Sequence, residues 1–311
     1  MGIRVLSLFD GISCGMVALE RAGLQIEKYA AYEIDKYAIQ VSEKNYPQIE
    51  RYGDVTKADF SQFRNIDIVM GGSPCQGFSF AGKQLNFDDP RSSLFFEFVR
   101  AIKEVQPKYF LLENVNMKKE FQDVISESLG VQPIEINSSL VSAQNRRRLY
   151  WTNIPRIQPP QDKEISVYDI LEDIDEGERI VINKAKNNKA GCIRATSYKD
   201  GMRDFIATNI DRKTCVAIRQ ELPGPGTYEI KDGYVEYNKR KFRIELEDGY
   251  FKFRKLTPIE FERLQTLPDD FTKGVSKTQR YKTTGNGWAV DVIAHILSYM
   301  KKDMEDKKDI A

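Results

Sequence analysis

Histidine is almost missing. The 311 residues contain one, His295, and only four cysteines, Cys14, Cys75, Cys192 and Cys215. With a structural role expected for that one histidine, none is left for a Ser-His-Asp triad, and the His-x-Glu with paired cysteines of nucleobase deaminases is absent. Proton traffic must then use carboxylates, arginines or water. The cysteines are far apart, with no Cys-x-x-Cys, which argues against a disulfide framework or a structural zinc, predicts no metal, and points to a reducing, cytoplasmic compartment. No apolar run reaches membrane-spanning length. The opening "MGIRVLSLFDGI" is interrupted by Asp10 and reads as a first strand, not a signal peptide or a membrane anchor. No glycine-rich pattern precedes Lys-Ser or Lys-Thr as in a triphosphate loop. The formal net charge is +1, so the molecule as a whole is not a basic glove for nucleic acid. His295 lies in "WAVDVIAHILSYM", where Val292, Ile293, Ile296, Leu297 and Met300 recur at helical spacing; its expected role is structural.

Charge is unevenly distributed. Residues 161–179 are dominated by Asp162, Glu164, Asp169, Glu172, Asp173, Asp175, Glu176 and Glu178, whereas 184–219 carry Lys184, Lys186, Lys189, Arg194, Lys199, Arg203, Arg212, Lys213 and Arg219. The change near residue 180 marks a boundary. The basic segment has the sign required for phosphate contacts, and equally that of a solvated lysine-rich surface.

The first half alternates apolar runs with helical patterns. "RVLSLF", "KYAAYEI", "IDIVMGG" and "KYFLLENV" read as strands, with helices predicted at 14–21, 36–46, 92–105 and 118–129, followed by "VQPIEINSSL" and "RRLYWTNI". This order predicts an α/β fold with a doubly wound, mostly parallel sheet. Ligands of such sheets bind outside the carboxyl ends of the strands.

Suitable groups stand there. "FDGISCG" offers Gly11 and Gly15 for a tight turn at a helix start, Glu33 ends the second strand at the distance where an acid meets ribose hydroxyls, and Asp54 follows a turn. Each acid alone could equally be a helix cap; together and in this order they favour a nucleoside-containing cofactor. In "VMGGSPCQGFSFAGK", Pro74 ends a strand, which puts Cys75 at the ligand edge, although a cysteine here can also be an inert core residue. "LLENV" delivers Glu113 and Asn114 to the same edge. A thiol nucleophile beside a carboxylate able to protonate or hydrogen-bond a substrate nitrogen is a matched pair.

At these residues the chain resembles the cytosine-C5 DNA methyltransferases. The matching pieces are "LFDGISCGMVALERAG", "YEID", "GDV", "GGSPCQGFSFAGK", "LLENV", "AQNRRRLYW", "RKLTPIEFERLQTLPDDF" and "TGNGWAV", in the family's order, leaving residues 157–253 unmatched. The resemblance implies a methyltransferase fold that uses S-adenosylmethionine, contacted by Phe9, Asp10, Gly11, Ile12, Ser13, Glu33, Asp54, Val55, Pro74, Asn286 and Trp288. It implies Cys75 as nucleophile, with Glu113, Arg146 and Arg148 as the other catalytic groups. Gln144, Arg146 and Arg148 alternate as strand residues do, so all three are expected to face the site. The target base must leave the duplex. Gln76, Ser79 and Lys83, in a loop spanning 76–90, are the expected DNA contacts there, with Gln144 nearby and Arg194 and Arg203 in a DNA-recognition lobe. The expected division is a catalytic domain of residues 1–156 and 283–311 and a smaller recognition domain of 157–282.

Most motifs are similar to the compact bacterial and phage type, while "VLSLFDGI" and Trp288 are closer to the animal de novo enzymes. A monomeric, prokaryotic or phage-encoded protein acting on double-stranded DNA is expected, with a restriction endonuclease as a further partner. Two alternatives are a tRNA cytosine-5 methyltransferase of the same fold, whose Cys-Phe-Thr stretch is absent, and a catalytically inactive DNA-binding regulator, against which the intact Cys75, Glu113 and Arg148 argue. Thr214-Cys215 imitates the pair of two-cysteine RNA methylases, but lies far from "LLENV", which occupies the catalytic strand.

Overall fold

The computed structural model describes residues 2–74, 90–172, 189–196, 205–209, 214–218, 226–237, 240–244 and 246–310. The chain forms two compact units, one of residues 1–138, 147–161 and 287–311, the other of 139–146 and 162–286.

In the first unit the predicted runs become the strands β1 (Ile3–Leu8), β2 (Ile26–Tyr32), β4 (Ile68–Gly71), β5 (Tyr109–Val115), β6 (Ile134–Asn137) and β7 (Arg147–Thr152), and the charged pair Glu50–Arg51, which no run marked, adds β3. The helices are α1 (Cys14–Arg21), α2 (Lys36–Asn45), α3 (Pro90–Val105), α4 (Lys119–Leu129) and α7 (Val290–Ile310). Their ends follow local chemistry. Asp35 caps α2 by accepting from the Tyr37 and Ala38 amides, and α4 stops at Gly130, whose φ of 71° suits a residue without Cβ.

The sheet order is β3-β2-β1-β4-β5-β7-β6. The β2–β3, β1–β2, β1–β4 and β4–β5 pairs are parallel, and β7 runs antiparallel to both β5 and β6. The fold class is thus the expected mostly parallel α/β one. From β1 the chain builds outward through β2 and β3, then returns to β4 on the other side of β1. That reversal places the ligand crevice of such a sheet at the carboxyl ends of β1 and β4.

Phe95, Phe98, Trp151 and Leu112 fill the core beside the sheet and are at most 1% exposed. Each side chain of this size stabilises the fold by about 2–3 kcal/mol relative to an exposed one. The expected face of α7 is buried through Val292, Ile293, Ile296, Leu297 and Met300. Arg21 of α1 pairs with Asp291 at 2.6 Å. His295 bonds the Gln158 carbonyl at 2.7 Å and sets its ring edge-on to Tyr299.

The second unit is built on a six-stranded antiparallel sheet that the motif pattern did not reveal. It comprises β8 (Phe205–Asn209), β9 (Thr214–Ile218), β10 (Gly226–Lys231), β11 (Tyr234–Tyr237), β12 (Arg240–Arg243) and β13 (Gly249–Lys255), in the order β12-β11-β10-β13-β8-β9. Ile230, Val235, Phe251 and Phe253 pack with Phe261 and Leu264 of α5 (Pro258–Leu264) and Tyr281 of α6 (Lys277–Asn286). Thr257 and Glu260 form a capping box at the start of α5. Buried Glu260 pairs with Arg254 at 2.9 Å and buried Glu262 with Arg280 at 2.8 Å. The "LTPIEFERLQTLPDDF" stretch therefore holds this unit together. Cys215 lies on the edge strand β9.

Gly285 allows a close crossing within this unit. A Cβ built there would lie 2.3 Å from the Arg194 carbonyl carbon and 2.5 Å from its oxygen. Backbone cannot swing away as a side-chain tip can. Gly285→Ala is expected to cost about 3 kcal/mol, read as a lower urea midpoint; an unchanged midpoint would contradict this packing.

Candidate active site

The connection from β1 to α1 is unusual backbone. Phe9, Gly11 and Ser13 all have positive φ, 57°, 59° and 60°. For the two non-glycine residues this is a left-handed conformation that surrounding structure must hold. The Asp10 carboxylate does part of this. Its Oδ1 accepts from the Ser7 and Tyr29 hydroxyls, each at 2.6 Å, and its Oδ2 from the Ser13 hydroxyl. Burial pushes the Asp10 carboxyl above the usual aspartate range, against the pull of these hydroxyls and of Arg51. Glu33, at the end of β2, grips the loop from the other side. Its Oε2 accepts from the Gly11 amide and its Oε1 from the Ile34 and Asp35 amides, all at 2.8 Å. Beside it Ile34 is 73% exposed, a large apolar side chain at an otherwise polar edge.

At the adjoining edge, β4 ends at Gly71 and runs through Gly72 and Ser73 to Pro74. A Cβ built on Gly72 would lie 2.8 Å from the Trp288 Nε1 and 3.1 Å from the Glu113 Oε2, so this glycine lets the indole and the carboxylate meet over the strand end. Gly15 in α1 does the same beneath Met70, Tyr29 and Trp288, with the first two within 3 Å of a built Cβ. Glu113, 9% exposed, is held by Arg148 of β7 through an ion pair of 2.8 Å. The pairing of β5 with β7 sets Val115 opposite Arg148 and Glu113 opposite Tyr150. Next along β5, Asn114 donates to the Ser73 hydroxyl at 3.1 Å. Small residues, an indole and a clamped carboxylate thus line the end of the strand that leads into Cys75.

The C-5 cytosine-specific DNA methylase family model matches residues 3–302. The chain belongs to that family. The methylase is 48% identical over 349 residues to the type II methyltransferase M.Eco47II of Escherichia coli, covering 96% of this chain and 80% of that one. It is 32% identical over 327 residues to the type II methyltransferase M1.ScrFI of Lactococcus lactis subsp. cremoris, covering 98% and 79%. Among solved structures, the methyltransferase EhMeth of Entamoeba histolytica superposes with a TM-score of 0.68 at 18% identity, over 98% of this chain and 99% of that one; this likeness shows the fold. Family membership makes the protein an enzyme, a DNA cytosine-5 methyltransferase, and implies the use of S-adenosylmethionine.

The remaining expected site residues of the methylase fall in several places. Phe9, Asp10, Gly11, Ile12, Ser13, Glu33, Pro74, Glu113, Arg148 and Trp288 belong to the first unit, along the β1, β2, β4, β5 and β7 ends and the start of α7. Asp54 caps the short helix at Val55–Lys57, accepting from the Thr56 amide and hydroxyl, which lowers its pKa; Val55 is buried. Cys75, Gln76, Ser79, Lys83 and Arg203 lie outside the described residues. Asn286, the exposed last residue of α6, and exposed Arg194 belong to the second unit.

One expectation is corrected. Gln144, Arg146 and Arg148 do not share a strand face, because β7 begins only at Arg147. Gln144 is fully buried in the second unit. Its amide nitrogen donates to the Leu264 carbonyl at 3.0 Å and to the Gln265 side chain at 3.1 Å, and its oxygen accepts from the Ile193 amide at 2.8 Å. That leaves a structural amide where a DNA contact was expected. Arg146, 5% exposed, donates to the Ile193 carbonyl at 2.9 Å and to the Cys192 sulfur at 3.6 Å. Tyr29, Ser73 and Ile34 were missed; an apolar residue directly after a strand-end acid is the signal that could have marked Ile34.

Proposed function

We propose that this enzyme methylates carbon 5 of a cytosine turned out of a short, specific duplex sequence, with Cys75 forming a transient bond to the base. The observation that carries this reading is the Arg148-clamped Glu113 against Gly72, three residues before Cys75.

The residues present suit a nucleoside sulfonium cofactor. Glu33 has lone pairs left for ribose hydroxyls, and exposed Ile34 offers an apolar platform for a flat ring. A Cβ built on Gly11 meets nothing within 4 Å, so the loop has open room above it. Phe9, Asp10, Ile12 and Ser13 would present backbone or ring edges from the same loop, with Asp54, Val55, Pro74 and Trp288 of the same unit completing the contacts. S-adenosylmethionine supplies a methyl group as an electrophile.

The protein's part is to make carbon 5 nucleophilic. The Cys75 thiolate forms a bond from Sγ to carbon 6 of the cytosine, pushing electrons toward carbon 5. Negative charge spreads onto the ring, and Glu113, acting as a general acid, shares its carboxyl proton with N3 or passes it over, while Arg148 holds that carboxyl in place. After alkylation of carbon 5, water removes its proton, the Sγ–carbon 6 bond breaks and N3 returns its proton to Glu113, which restores the ring, the thiolate and the carboxylic acid.

Gln76, Ser79 and Lys83 would meet the DNA around the displaced base. The second unit would read the sequence, with Arg194 and Arg203 at base edges or phosphates. The enzyme would act as a monomer in the cytoplasm, in company with a restriction endonuclease; among the described residues no helix is long and apolar enough to cross a membrane. Bisulfite sequencing of a plasmid from cells making the protein is expected to show one short motif whose cytosine is protected. A plasmid converted at every cytosine despite soluble, folded protein would overturn the reading.

A further inference from the structure

We propose that Tyr29, Ser42 and Arg51 are positioning residues for methyl-donor binding, acting through Asp10 and Ser13 to hold the Phe9–Ser13 loop in its left-handed form. The proposal rests on the reading of that loop as the donor site.

The directions of the hydrogen bonds are forced by chemistry. An ionised carboxylate only accepts, so the Ser13 hydroxyl gives its proton to Asp10. In the 2.6 Å contact between the Ser13 and Ser42 hydroxyls, Ser42 must then be the donor. The Ser42 oxygen in turn accepts from Arg51 Nη2 at 2.8 Å. A one-way chain runs from the Arg51 guanidinium through two hydroxyls to the Asp10 carboxylate, each bond polarising the next. Arg51 is itself fixed by the carbonyls of Ile49 and Tyr46, each at 2.9 Å. Tyr29 reaches Asp10 from β2, and burial with the carboxylate beside it pushes the phenol's pKa well up, so it stays a donor.

Two details tie this network to the loop in particular. Ser13 occupies the N-cap position of α1, yet its hydroxyl makes no capping bond; it is spent on Asp10 and Ser42. Tyr29 is 3% and Ser42 2% exposed, so neither can touch a ligand. Their hydrogen bonds reach the site through Asp10 and Ser13 of the loop, whose Gly11 amide Glu33 also holds. The charged and titratable groups around Asp10 are Tyr29 on β2 and Arg51 on β3, with the Cys14 thiol of α1 beside Tyr29.

The test is calorimetric titration of the whole protein with S-adenosylmethionine, without DNA. Tyr29→Phe and Ser42→Ala are each expected to weaken binding about tenfold, the loss for one hydrogen bond to a charged network, with kcat at saturating donor within about twofold of the parent. Removing the Tyr29 donor leaves the Asp10 carboxylate less stabilised, so in Tyr29→Phe the fall in affinity toward acid should begin at higher pH. Ile125→Val, which removes one methylene from the buried core at α4, should lower thermal stability without changing affinity. Normal affinity in Tyr29→Phe or, where that variant does not fold, in Ser42→Ala, alongside weakened binding in Glu33→Ala, overturns the positioning role alone. Normal affinity in Glu33→Ala as well overturns the donor-site reading and the proposal with it.

Discussion

Replacing Cys75 by serine is expected to abolish methylation while leaving the fold and the affinity for S-adenosylmethionine nearly unchanged. A hydroxyl is a far weaker nucleophile than a thiolate near neutral pH, and without addition at carbon 6 nothing drives electrons to carbon 5. Losing a covalent step of this kind costs several powers of ten in rate. The residue lies just beyond the end of β4, two positions after the Ser73 that Asn114 anchors to β5, so the substitution should leave the sheet intact. Single-turnover kinetics with a tritiated donor would measure it. Residual turnover above about one hundredth of the parent would contradict the assigned role.

Glu113→Gln is the second large effect expected. Glutamine keeps the size of the side chain and can still donate an N–H, but it cannot pass a proton to N3, and it loses the ion pair with Arg148 at 2.8 Å. Loss of one preorganised group that stabilises developing charge lowers kcat by about 10²–10³, or about 2.7–4 kcal/mol. The affinities for donor and DNA should change little, since the interaction is required in the transition state. A fall in kcat of less than about threefold would remove Glu113 from the chemistry. A large fall in thermal stability together with lost donor binding would mean instead that the carboxylate serves mainly to anchor Arg148 across β5 and β7.

Much of the first unit was legible because its signals are local. The parallel strands β1, β4 and β5 are short, largely apolar runs buried along nearly their whole length, and α4 ends at Gly130, a residue suited to ending it. The strand-end placement of Glu33 and Glu113 follows from the same order. What escaped the reading depends on partners distant in the chain. Asp10 stood in sequence as a ligand-edge acid, yet its carboxylate is taken up by Ser7, Ser13 and Tyr29, and no spacing rule joins the last of these to it.

Gln144 shows the limit of periodicity from the other side. The alternation Gln-x-Arg-x-Arg presumed a strand already begun, whereas the buried amide of Gln144 is drawn into the second unit by Leu264 and Ile193, and β7 starts three residues later. The antiparallel sheet of that unit was hidden by its composition. β10, beyond the basic segment 184–219, alternates Thr227, Glu229 and Lys231 on the solvent side with Tyr228 and Ile230 on the core side, a period of two too short to stand out with no motif beside it.

The most direct test of the account is to incubate the enzyme and S-adenosylmethionine with a duplex carrying 5-fluorocytosine at the target position. Fluorine cannot leave carbon 5 as a proton does, so the bond from Cys75 to carbon 6 should persist. A denaturation-resistant protein–DNA complex whose modified peptide contains Cys75 is the predicted result. A duplex that is bound and methylated without any covalent complex, or a complex mapped to Cys14, Cys192 or Cys215, would contradict it.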